Sequence, residues 1–206
     1  MAIWLARHGE TEWTVSGRHT GATDIGLVRE GELQAVALGR LLAGRAFEHV
    51  FASPMRPAQD TARLAGFGDR FVVHEGLSEV DYGEYEGMTT AEIRERHPGW
   101  ELFRDGSPGG ETPEQMTARV DALLDEFAKL RGDLLLFGHG HRFRALTVRY
   151  LGLQIGAATN FRLDAGTLSI LAAGRDGPSL AIWNRRAPTI AAQVAELAER
   201  IATEVP

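Results

Sequence analysis

Four consecutive apolar residues, Leu134-Leu135-Leu136-Phe137, stand between Gly132-Asp133 and Gly138-His139-Gly140 with no polar position to interrupt them. A strand that is apolar at every position has both faces covered, the condition of a strand at the centre of a parallel sheet with helices packed on either side. Short apolar runs at Ile3–Ala6, His49–Ala52 and Phe71–Val73 alternate with segments of helical period, the pattern of strands joined by helical crossovers. One such segment carries Leu33, Val36, Ala37, Leu41 and Leu42 on a face, and Ser53-Pro54 reads as the N-cap and first residue of another. Thr89 with Glu92, and Thr112-Pro113 with Gln115, form capping boxes. The first precedes a short helix stopped at Pro98, the second a long helix with Val120, Leu123, Leu124, Phe127 and Leu130 on its apolar face. Thr167–Ala173 and Leu180–Trp183, joined through Gly174-Arg175-Asp176-Gly177-Pro178, read as a hairpin that closes the sheet. The tail from Pro188 puts Ile190, Val194, Leu197 and Ile201 on one helical face, suited to packing on the body or on a second copy in a homodimer. The expectation is a single α/β domain over residues 1–206, a three-layer α/β/α sandwich with a mostly parallel central sheet. Its core runs over residues 3–185 and its C-terminal helix over 188–203.

Composition narrows the chemistry. The sequence contains no cysteine, which removes disulfide frameworks, thiolate nucleophiles, Cys-ligated zinc and iron–sulfur clusters together. A formal charge of −6 without long runs of like charge disfavours a nucleic-acid surface. No apolar stretch approaches the roughly 18 residues that span a bilayer. Met1-Ala2-Ile3-Trp4-Leu5-Ala6 also meets Arg7 and His8 too early for a signal peptide, so a cytoplasmic protein with no membrane partner is expected.

In an open α/β sheet, ligands bind outside the carboxyl ends of the strands. After the first strand comes Arg7-His8-Gly9-Glu10-Thr11, after the second Arg56, and after the central strand Gly138-His139-Gly140-His141. An arginine fork matches phosphate oxygens bidentately, and a histidine can act as nucleophile or as donor toward them. The glycines beside each histidine would leave room for a tetrahedral anion. With no thiol, and with no metal or other cofactor expected, the chemistry this set does best is phosphoryl transfer through a phosphohistidine.

These blocks extend to Leu5-Ala6-Arg7-His8-Gly9-Glu10-Thr11-Glu12-Trp13, Gly17-Arg18-His19-Thr20-Gly21, Ser53-Pro54-Met55-Arg56, and Leu77-Ser78-Glu79-Val80-Asp81-Tyr82-Gly83 through Glu86-Gly87. Together with Gly138-His139-Gly140 they resemble the histidine phosphatase superfamily, also called phosphoglycerate mutase-like, over residues 3–185. The resemblance implies the phosphoglycerate mutase-like fold, with His8 as nucleophile, Arg7, Arg56 and His139 as the phosphoryl clamp, and Glu79 as general acid and base. It further implies that Thr20 and the Gly21 backbone line the entrance, with Gly140 against the substrate. Phosphoglycerate mutases of the superfamily carry a long insertion where this chain has only Met88 to Gly109. So short a lid makes it harder to keep water from a bisphosphorylated intermediate. Hydrolysis of small phosphate monoesters, sugar phosphates among them, is therefore expected over a cofactor-dependent phosphoglycerate mutase. The chain looks most like a branch of small phosphatases with sedoheptulose bisphosphatase-like and broad acid phosphatase members. A non-catalytic binding module of the same fold predicts a damaged constellation, whereas Arg7, His8, Arg56, Glu79 and His139 are all present.

Finer expectations follow. His8 must be neutral at one ring nitrogen, with the other held by a backbone carbonyl such as that of Gly9. His139, among phosphoryl oxygens, is expected to be protonated. Arg104 or Arg144 would take a second phosphate on a bisphosphorylated leaving group. His141 could touch substrate, donate to a backbone group or cap the following helix, the structural reading being preferred. Arg142 and Arg144 on the first turn of that helix are either held by an anion or, the preferred reading, solvated surface. Thr14 stands where many members of the superfamily have asparagine, a departure at one phosphate contact.

Overall fold

The computed structural model describes residues 1–68 and 70–188. Strands β1 (Ala2–Arg7), β2 (His49–Ala52), β3 (Val72–Val73), β4 (Leu134–Gly138), β5 (Thr167–Gly174) and β6 (Gly177–Arg186) form one sheet in the order β3-β2-β4-β1-β5-β6. β1, β2, β3 and β4 run parallel, while β5 is antiparallel to β1 and returns as a hairpin with β6. The helices are α1 (Glu12–Ser16), α2 (Arg29–Leu42), α3 (Arg56–Ala62), α4 (Thr90–Arg96), α5 (Leu102–Asp105), α6 (Pro113–Phe127) and α7 (Gly140–Tyr150).

Alternation along the central strands divides the core into two layers. Ile3 and Leu5 of β1 with Leu134 and Leu136 of β4 face the side packed by Val120, Leu123 and Phe127 of α6 and Leu146 of α7. Trp4, Ala6, Leu135 and Phe137 face the other side, against Leu38 and Leu42 of α2 and Ala58 and Ala62 of α3. β4 is buried throughout, as a strand clothed on both faces must be. The three layers and the mostly parallel sheet are those expected.

Both capping boxes form. The Thr89 and Thr112 side chains accept from the Glu92 and Gln115 amides, and each of those side chains returns to its cap backbone. Two local expectations are corrected. Ser53 does not cap α3, whose N-cap is Met55; Ser53 accepts from the Met55 amide at 3.2 Å and stands free to serve the strand edge. Phe71 does not join β3, which is a two-residue exposed edge because only the Val72–Val73 segment pairs with β2. The apolar stripe at Ile190, Val194, Leu197 and Ile201 lies outside the described residues.

Candidate active site

Register brings the histidines together. β1 pairs in parallel with β4 so that Arg7 lies opposite Gly138, and the next residue of each strand is His8 and His139. Their rings stand 5.1 Å apart between centroids. The backbone of His8 is held on both sides, its N–H donating to the Gly138 carbonyl at 3.0 Å and its carbonyl accepting from Gly166 at 2.8 Å. Ala52 of β2 lies opposite Phe137, so Ser53 stands beside this pair.

His8 Nδ1 lies 2.7 Å from the Gly9 carbonyl oxygen. Because a carbonyl can only accept, Nδ1 carries the proton and Nε2 keeps its lone pair. Burial, reinforced by His139 and Arg7, pushes the His8 pKa down to about 3, so the imidazole is neutral. His139 Nε2 pairs with Ser53 Oγ at 2.7 Å, and burial aided by Arg7 and Arg119 takes its pKa down to about 3 as well. The expected protonation of His139 concerns the ring among phosphoryl oxygens. In the protein by itself the ring is neutral, since nothing anionic offsets its desolvation.

Arg7 is buried under the same rim. Its Nη1 donates to the Leu163 carbonyl, while its Nε is buried without a partner. Glu79 is 7% exposed, and its carboxylate accepts the amides of Val80 at 3.0 Å, His141 at 2.9 Å and Arg142 at 2.7 Å. Two of those amides are among the unpaired donors at the N-terminus of α7, which fixes the carboxylate beside the rim. The loop that carries Glu79 is clamped from behind. Arg119 and Arg142 donate to the Ser78 carbonyl, Arg119 also to that of Glu79, and both meet the buried Glu111 carboxylate. Arg142 is fully buried, which overturns its reading as solvated surface: the loop of residues 77–81 and Glu111 cover it.

Arg7, His8, Thr14, Thr20, Glu79 and His141 line a pocket of about 170 Å³, together with Gly17, Arg18, His19 and Tyr82. Other expected residues lie elsewhere. Arg56 opens α3 with its guanidinium paired to Asp60 at 3.1 Å and its side chain 65% exposed, and it borders a separate cavity with Leu27 and Arg63. Arg104 turns outward to Asp105 and the Gly99 carbonyl, because the adjacent carboxylate captures it. Gly21 gives its N–H to the Glu86 carboxylate, so that amide does not face the pocket. The Thr14 hydroxyl is spent on the Thr11 backbone, from whose N–H it accepts at 2.7 Å and to whose carbonyl it donates at 2.9 Å. The glycines serve packing of the protein on itself. A Cβ at Gly9 would lie 2.2 Å from the Gly31 carbonyl oxygen, and one at Gly140 only 3.0 Å from Arg7 Cζ.

His19 and Tyr82 also belong to the site, beyond the residues the sequence singled out. His19 is buried against Tyr82, Trp100 and His141, with burial lowering its pKa, and its position in the Gly17–Gly21 block was the available signal. The Tyr82 hydroxyl lies 2.6 Å from His141 Nδ1. This gives His141 a side-chain partner inside the site, not a capping role. Arg144 is half-buried, donating to the Ala158 and Thr159 carbonyls over the Phe103 ring, so it too is not solvated surface.

A neutral imidazole with an open Nε2, a second imidazole and a buried guanidinium at the carboxyl edge of a parallel sheet, with a carboxylate alongside, define an enzyme of phosphoryl transfer. The model of histidine phosphatase superfamily branch 1 matches residues 3–186, and the chain belongs to that family. It is 40% identical over 173 residues to an acid phosphatase of Mycobacterium tuberculosis, covering 82% of this chain and 84% of that one. It is 32% identical over 183 residues to the sedoheptulose 1,7-bisphosphatase of Saccharomyces cerevisiae, covering 73% and 68%. The solved structure of the product of an open reading frame of Mycobacterium tuberculosis superposes with a TM-score of 0.85 at 34% identity, covering 90% of this chain and 97% of that one. Among the described residues, no helix is long and apolar enough to cross a membrane.

Proposed function

We propose that this protein hydrolyses small phosphate monoesters, sugar phosphates among them, through a phosphohistidine formed on His8 and without a metal ion. The observation that carries this reading is the His8 ring: Nδ1–H is given to the Gly9 carbonyl and Nε2 is unprotonated. His8 Nε2 attacks phosphorus in line with the departing ester oxygen, forming the N–P bond as the P–O bond breaks. Arg7 and His139 receive the equatorial oxygens, and an oxyanion there would supply the charge that favours protonation of His139. Glu79 delivers a proton to the leaving alkoxide. It then takes one from the water that attacks the phosphohistidine, releasing phosphate and restoring His8. Gly140 contributes by having no side chain, since a Cβ there would crowd the Arg7 guanidinium. Thr20 stands at the pocket edge.

Arg56 joins the clamp only after leaving Asp60. An exposed i,i+4 pair contributes under about 1 kcal/mol, so a phosphoryl dianion offers a better partner. The test is phosphate release from a panel of an aryl phosphate, 3-phosphoglycerate and sugar mono- and bisphosphates, with a chelator present. Chelator-resistant release that vanishes in His8→Ala supports the reading. Silence on the panel, with interconversion of 2- and 3-phosphoglycerate once bisphosphoglycerate is added, would make the protein a mutase.

A further inference from the structure

A second cavity, of about 130 Å³, opens beside the catalytic pocket and shares His19 and His141 with it. Trp100 and Phe103 give it an apolar wall, while Thr90, Thr159, Arg94 and Arg144 give it polar groups. A phosphate held over His8 directs its ester oxygen away from that nitrogen, so the space bordering His141 is where a leaving group has room.

The state of His141 at this junction follows from hydrogen-bond accounting. Tyr82 is 1% exposed, and its hydroxyl has His141 Nδ1 as partner at 2.6 Å. If Nδ1–H donated to the hydroxyl, the phenolic proton would be buried without an acceptor, at a cost of about 1–3 kcal/mol. The hydroxyl therefore donates, Nδ1 accepts, and the ring proton resides on Nε2. Burial works the same way on both groups, raising the Tyr82 pKa well above 10 and lowering that of His141 well below 6.5. The charged groups around the ring come from separate elements: Glu79 with its Oε2 3.9 Å from Nδ1, Arg7 from β1, Arg144 from α7, and His19 from the loop after α1. Among them Glu79 is the one whose field favours a cation.

We propose that His141, held by Tyr82 as the Nε2–H tautomer, donates a hydrogen bond to an oxygen of the leaving group, and that the preferred substrates are phosphate esters of polyhydroxylated alcohols. This assignment rests on the phosphatase reading above. His141 is a specificity-determining residue and Tyr82 its positioning residue. Trp100 gives a sugar an apolar surface beside Phe103, whose ring lies under the Arg144 guanidinium. The sugar hydroxyls suit Thr159 and Glu101, the Thr90 hydroxyl being paired with His19 Nε2 at 3.3 Å.

The test pairs kinetics with a spectroscopic signature. Ring nitrogen-15 shifts of the wild type, with His141 assigned by its loss from the His141→Gln spectrum, should show the Nε2–H tautomer. Tyr82→Phe, which keeps the ring in the core, should shift that signal toward a mixture of tautomers. With a hexose 6-phosphate, His141→Gln should lower kcat/KM roughly 10- to 100-fold, the worth of one buried hydrogen bond. The loss on 4-nitrophenyl phosphate should be at least several-fold smaller, and Tyr82→Phe should follow the same order through KM. An Nδ1–H tautomer in the wild type, or equal losses on the two substrates, overturns the assignment. Failure of the phosphatase reading is distinguished by His8→Ala: release that survives that substitution removes the chemistry itself, whatever the tautomer of His141.

Discussion

His8 and His139 face each other with ring centroids 5.1 Å apart, and both are neutral because burial beside Arg7 disfavours a further cation. The parallel register of β1 and β4 imposes the approach, and one backbone carbonyl and one serine hydroxyl set the ring orientations.

The first prediction concerns pH. Both rings titrate at about 3 in the folded protein and near 6.5 when unfolded, so between those values the unfolded chain binds more protons. Stability is therefore lost as pH falls from about 6.5 toward 3. Thermal melts from pH 7 to 4.5 should show a falling Tm, with a shallower slope in His139→Gln. A Tm independent of pH in that interval would refute the burial of neutral rings.

Glu79→Gln removes the proton donor and also sets a non-accepting NH2 against a backbone N–H that the carboxylate receives, so its effect is read as a difference between two substrates. The expected loss in kcat is about 10²- to 10⁴-fold on an alkyl phosphate, whose alkoxide needs a proton. On 4-nitrophenyl phosphate, whose leaving group departs unaided, cleavage should suffer much less. A pre-steady-state comparison of the two substrates checks this, and equal losses would assign the acid role to another group.

Glu111 sits between Arg119 and the fully buried Arg142. Glu111→Ala leaves an uncompensated buried cation and should cost about 3–5 kcal/mol of stability, read by urea unfolding. Arg142→Met with Glu111→Met should recover part of that loss, since paired removal spares the desolvation penalty.

Gly140→Ala brings a Cβ to 3.0 Å from Arg7 Cζ. Arg7 is pinned to the Leu163 carbonyl and cannot retreat freely. Weakened inhibition by inorganic phosphate, by about tenfold or more, is expected without a matching fall in Tm. Unchanged inhibition would remove Arg7 from the phosphate clamp.

Much of this site was legible in the sequence because it lies where strands end. The apolar run at Leu134–Phe137 located the central strand, and the residues that follow the predicted strands then put Arg7, Arg56, His8 and His139 at one rim, where the structure brings Arg7, His8 and His139 together. Both capping boxes were legible because their hydrogen bonds are local. What failed was tertiary. Ser53 before Pro54 fits an N-cap, but its hydroxyl is claimed by His139, just beyond β4. Arg142 is buried by a loop some sixty residues earlier in the chain, which no helical position announces. Arg56 and Arg104, expected at the substrate, are paired with Asp60 and Asp105 close by in sequence, a local competition that Arg56 leaves in the proposed clamp. The pairing of Tyr82 with His141 joins a loop to the first turn of α7, which only the folded chain brings together.

The central claim is a covalent bond between phosphorus and His8 Nε2. Rapid acid-free quenching during turnover of a phosphorus-32 ester, followed by peptide mapping, tests it most directly. The account predicts an acid-labile, alkali-stable label on the peptide containing His8, formed faster than phosphate is released and absent in His8→Ala. Turnover without any such label, or a label on another residue, would contradict it.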